Sequence, residues 1–175
     1  MSEHSGGTPR LTRSDSWLLA ALCEASGGSS MRLRDLIGHA DWLNRGLPYF
    51  DEASFGLPRL VAAGFAQATG EGEGLRVRAT NAGRDLRHTV QADTLGDVLW
   101  GMSEAVGAPP YPEPEIEDRS LGRLPGLDEV QWQREARAYR RAFARAAGVA
   151  AATGFAVIGA ALGVAAVVAT RLRRR

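Results

Sequence analysis

A chain of 175 residues has room for one compact domain with some appendages, and its single cysteine, Cys23, excludes an internal disulfide. The net charge of +1 excludes a protein that is strongly basic or acidic as a whole, but it conceals three blocks. Residues 1–90 balance ten arginines against ten acids, residues 91–129 stand at −7, and residues 130–175 stand at +8, so the three segments have different surroundings.

Residues 1–13 are polar and read as a disordered tail. Arg10 and Arg13 precede a seven-residue apolar run, 17–23, as in a signal peptide, yet Glu24 ends that run and Asp15 sits where positive charge belongs. Export is therefore not expected, and Cys23 reads as a small core residue of a reducing cytoplasm. Ser14 and Asp15 offer a cap for a first helix with Leu18, Leu19, Leu22 and Ala25 on its apolar face, stopped at Gly27 and Gly28.

In MRLRDLIGHADWLNR, the residues Leu33, Leu36, Ile37, Ala40 and Leu43 recur at helical spacing and predict a second helix. A turn at Gly46, Leu47 and Pro48 leads to a third helix in FDEASFGLPRLVAAG, carrying Phe55, Leu57, Leu60 and Val61. Pro58 implies that this helix kinks or starts near Leu57. A hairpin follows: residues 65–68 and 75–79 flank a glycine-rich loop, and Leu75, Val77 and Ala79 alternate with Arg76 and Arg78. Thr80 then caps a fourth helix, NAGRDLRHTVQ.

The strings LRDLIGHADWLN, FGLPRLVAAGF and VRATNAGRDL together resemble the winged helix-turn-helix superfamily of bacterial regulators, over about residues 16–91. The resemblance implies a mainly α fold with a small β-hairpin over residues 14–91. It also implies that the third helix enters a DNA major groove, presenting Asp51, Glu52, Ser54 and Arg59, while Arg76 and Arg78 of the wing meet phosphate or the minor groove. The residues themselves depart from that use. The third helix opens with two acids, the loop carries Glu71 and Glu73, and the domain lacks the positive excess that supplies non-specific affinity.

Residues 92–107 read as an additional helix, with Leu95, Val98, Leu99, Met102 and Val106 apolar, packed on the domain or used for dimerisation. Residues 108–127 are acidic and proline-rich and read as a stiff linker. Residues 128–145 read as a basic amphipathic helix lying at a membrane interface. Trp132, Ala136, Tyr139 and Phe143 share one face, and Arg134, Arg137, Arg141 and Arg145 line another.

Residues 146–170 carry no charge and span about 37 Å as a helix, enough for a hydrocarbon core of about 30 Å. They read as a single transmembrane helix in which Gly159 and Gly163 permit close self-association, followed by a basic tail, 171–175. The expected class is thus a winged-helix-like domain, a linker and a C-terminal transmembrane helix, in the cytoplasmic or inner membrane with the domain in the cytoplasm. A fragment ending at Asp128 should then be a soluble domain.

His4, His39 and His88 lack the spacing of a metal site, and no catalytic set or cofactor motif stands out. The reading is a non-catalytic, membrane-anchored module that recruits a protein partner or regulates transcription. The alternative is a DNA-binding regulator whose alanine-rich tail makes an oligomer.

Overall fold

The computed structural model describes residues 9–24, 28–109 and 121–152, with side chains to residue 147. Among these residues six α-helices pack with a small three-stranded sheet: α1 (Arg13–Cys23), β1 (Met31–Arg32), α2 (Leu33–Asn44), α3 (Phe50–Ala62), β2 (Ala66–Thr69), β3 (Arg76–Ala79), α4 (Asn81–Thr89), α5 (Leu95–Ala105) and α6 (Glu129–Ala152).

Helix α1 is the central post. Its cap is Thr12, two residues before the expected Ser14: Thr12 Oγ1 accepts the Asp15 N–H at 3.1 Å, and Asp15 Oδ2 accepts the Thr12 N–H at 2.9 Å. Three consecutive residues then fasten three other helices. Asp15 receives the guanidinium of Arg59 on α3, through Nε at 2.7 Å and Nη2 at 2.8 Å. Ser16 Oγ shares a 2.8 Å hydrogen bond with Ser103 Oγ on α5, and Trp17 Nε1 donates to the Ala40 carbonyl on α2 at 3.0 Å. Behind them Leu18, Leu19, Ala20, Ala21 and Leu22 are buried all around the helix. A helix apolar on every side must lie inside the protein.

The crossing of α1 and α3 is close because position 56 is glycine. A Cβ there would lie 2.6 Å from Asp15 Oδ1 and 2.9 Å from Leu18 Cδ1.

The sheet runs β1-β3-β2 and is antiparallel, with Met31 opposite Val77, Ala66 opposite Ala79 and Thr69 opposite Arg76. The two-residue strand β1 lies in a segment expected to be helical; it is too short to show an alternation of its own. Val77 and Ala79 face the core while Arg78 faces solvent. Thr80 caps α4 through the Gly83 N–H, and α5 buries Val98, Met102 and Ser103.

The C-terminal part of the expected class is corrected. Among the described residues no helix is long and apolar enough to cross a membrane. Helix α6, which overlaps the start of the expected span 146–170, has one apolar stripe, and its first three members are spent on the domain: Trp132 and Ala136 are buried in the core and Tyr139 packs against it, while Phe143 is exposed. Arg134, Arg137, Arg140, Arg141 and Arg145 occupy its exposed sides. Over 134–145 these arginines deny α6 the all-round apolar surface that a helix in lipid needs, and its seven residues beyond Arg145 are too few to span a hydrocarbon core. Residues 153–170 of the expected span, with Gly159 and Gly163, lie outside the described residues, as do the basic tail 171–175 and residues 110–120 of the expected linker.

Breaking the Asp15–Arg59 pair should be costly, because the surviving charge stays buried. Asp15→Ala is expected to lower stability by about 3–5 kcal/mol in denaturant unfolding. A loss under 1 kcal/mol would show that the pair is not what holds α1 to α3.

Candidate functional site: the face between α3 and the hairpin

The surface that the sequence singles out lies between α3 and the loop joining β2 to β3. The outer side of α3 presents Asp51, Glu52, Phe55, Pro58, Val61 and Ala62. Glu52 is occupied at the helix start, accepting the Tyr49 N–H and the Ser14 hydroxyl, each at 2.7 Å. Ser54 and Arg59, both expected on a recognition face, are buried, and Arg59 points inward to Asp15. On the hairpin, Arg78 is exposed and held by Gln67 Oε1 at 2.9 and 2.6 Å, while Arg76 is half-buried with Nη1 on the Leu75 carbonyl at 3.3 Å. The wing arginines thus reach the sheet surface, but the third arginine of the expected set does not.

This face is not open. Residues 121–127, expected to be part of a linker, form a strap across it, and the first turns of α6 continue the cover. The strap is held at Arg123, whose guanidinium lies over the rings of Phe50 and Phe55, 5.0 and 5.3 Å from their centroids, and 3.3 Å from Asp51. Leu124 and Leu127 are buried beneath it. The Gly126 carbonyl accepts the Gly72 N–H of the hairpin loop at 3.1 Å. At that point the strap touches the loop backbone: a Cβ on Gly126, whose φ is +76°, would lie 2.9 Å from Glu71 Cα. Gln131 then donates its side-chain amide to the Gly72 carbonyl, and Arg134 pairs with Glu73 at 2.7 Å.

One contact explains why the strap crosses α3 where it does. Helix α3 continues through Pro58 without starting anew there. Proline has no N–H, so the carbonyl four residues earlier, that of Ser54, loses its helical donor. The Leu124 N–H of the strap donates to that carbonyl at 3.0 Å. A proline that interrupts the helix ladder therefore creates an acceptor on the α3 surface, and the strap satisfies it.

The aromatic residues expected at a membrane interface are placed by the same docking. Trp132 is 2 % exposed, and Tyr139 donates its hydroxyl to Asp41 on α2 at 2.7 Å. Burial, then this hydrogen bond, pushes the Tyr139 phenol well above its ordinary range. Phe143 is exposed and lies 6.2 Å from the Tyr139 ring. Glu135 pairs with Arg34 on α2 at 3.0 Å.

Burial pushes the Cys23 thiol up to about 12, against the pull of Arg87, so it stays protonated near the Gly83 carbonyl. Among the described residues no three His, Cys, Asp or Glu side chains gather as a metal site. Burial lowers the His39 imidazole below its ordinary value despite the carboxylates of Glu24 and Asp35.

No family model, curated protein or solved structure matches the chain.

Three outcomes are expected. A fragment ending at Asp128 strips Trp132, Ala136 and Tyr139 from the core; burial of one such tryptophan contributes about 3–5 kcal/mol, so its unfolding midpoint in denaturant should fall well below that of the full chain. An unchanged midpoint would mean that α6 adds nothing to the domain. Pro58→Ala returns a helical N–H to the Ser54 carbonyl. Deuterium exchange at the Leu124 amide should then rise about fivefold, the equivalent of about 1 kcal/mol, with α1 amides unaffected. Unaltered protection of Leu124 would count against the strap contact. Finally, the unfolded chain protonates His39 more readily than the fold does. Stability is complete above about pH 6.5 and is lost as pH falls from there through the lower folded-state value. His39→Gln should flatten that slope in melts compared across the window, and an identical slope would remove His39 as its source.

Proposed function

We propose that this chain is a non-catalytic module of the winged-helix type that works by protein recognition, with the α3–hairpin face as a protein-docking groove rather than a reader of duplex sequence. The order of helix, short strand, two helices and hairpin, with the first strand beside the last, supports the fold reading. One observation carries the functional reading: a polypeptide, residues 123–134 of the same chain, already fills that face through apolar, backbone and ionic contacts. Phosphate would have to replace this cover and meet Asp51, Glu52, Glu71 and Glu73. Those carboxylates repel a nucleic-acid backbone and suit the arginines of a protein segment.

Selection from a random pool of duplexes by the full chain is expected to enrich no sequence. An enriched motif that disappears on Phe55→Ala or Arg78→Ala would overturn the reading in favour of a sequence-specific regulator. A protein retained by the immobilised chain should be displaced by a synthetic peptide of residues 121–136, which occupy the groove in the fold. Retention indifferent to that peptide would also count against the groove.

A further inference from the structure

A ridge of arginines without ion-pair partners lies away from α3 on the described surface. At about 100° per residue, Arg140, Arg137, Arg141 and Arg145 fall within an arc of about 140° around α6, on the side turned from Trp132, Ala136 and Tyr139. All four are exposed, and among the described residues no carboxylate lies within ion-pair distance of any of them. The acid nearest in sequence, Glu135, is taken by Arg34 and Arg134. Residues 140–147 are exposed without exception, so this half of the helix runs clear of the domain.

We propose that this arginine ridge of α6 docks on the phosphate backbone of nucleic acid without regard to sequence. This goes beyond the protein-docking groove and uses a different surface.

The ridge extends over about 12 Å of helix axis, a length in which a duplex presents about seven phosphates. Its interleaved side chains at 138 and 144 are alanines, short enough for guanidinium groups to reach a convex polyanion. The same composition argues against a lipid surface. An interfacial helix inserts an apolar face below its charges, and here Trp132 and Ala136 are buried in the domain while Tyr139 is tied to Asp41. Phe143 is the one large apolar side chain left exposed between residues 137 and 145, and over that stretch the arc that bears the arginines offers nothing larger than alanine to insert.

The test is a titration of the full chain with an arbitrary duplex of about 20 base pairs at about 50 and 200 mM salt. Four phosphate contacts give a slope of log K against log salt between about −3 and −4, so affinity should fall roughly a hundredfold over that interval. In the Arg140→Gln/Arg141→Gln variant the slope should shrink by about 2 and the loss to roughly tenfold. Both side chains are exposed, so the melting temperature should not move, and a duplex of unrelated sequence should bind equally. Three results would overturn the proposal: no binding at the lower salt, a slope unchanged in the variant, or binding to vesicles of phosphatidylcholine and phosphatidylserine with none to duplex. Failure of the groove reading shows instead as an enriched motif sensitive to α3 or hairpin substitutions, so the two outcomes are separable.

Discussion

The buried ion pair between Asp15 and Arg59 is the constraint around which the domain is arranged. A carboxylate with no exposure is tolerable only with its lone pairs engaged, and here the forked guanidinium and the Thr12 amide engage them. The pair needs α1 and α3 close together, which Gly56 permits, and it orients α3 with Arg59 inward. That orientation turns Asp51, Phe55 and Pro58 outward. The surface chemistry of the third helix is therefore a by-product of how its core is neutralised, and the arginine that a phosphate-binding helix would display is used for packing.

Once α3 is turned this way, its exterior has an unsatisfied carbonyl, two aromatic rings and acids at one end. Each finds its counterpart in a short stretch of the same chain: the Leu124 amide for the carbonyl, Arg123 for the rings and Asp51. Leu124, Leu127 and Trp132 add apolar burial. The strap and α6 as far as Tyr139 belong to the domain as fully as the helices before them. The outward ridge of α6 keeps four arginines without an ion-pair partner among the described residues, which is why the two surfaces suit partners of different chemistry.

Much of the helical content was legible in the sequence because periodic apolar residues, such as Leu33, Leu36, Ile37, Ala40 and Leu43, report one buried face each. The hairpin was legible from the alternation around Val77. Position-specific roles were harder. Arg59 reads as a surface cation because nothing local announces a partner 44 residues earlier. Strand β1, with two residues, has no period to detect. The strap was hidden by composition: a segment rich in acids and proline reads as a spacer even when two leucines at positions 124 and 127 anchor it. The aromatic stripe of α6 was visible, but a stripe only says that something apolar covers it. Lipid and a neighbouring helix leave the same pattern, and here the cover is α2 and the core. For residues 153–170 the uncharged stretch remains a property of the sequence alone.

The distance along the chain between α3 and its cover has a consequence for biosynthesis. Some seventy residues separate Ala62 from Trp132, about 4 to 14 s of elongation at the usual pace. During that interval the nascent domain shows Phe50, Phe55 and the bare Ser54 carbonyl to whatever surrounds the ribosome. A chain that stalls before Arg123 and Leu124 emerge leaves those groups without the cover that its own later residues supply.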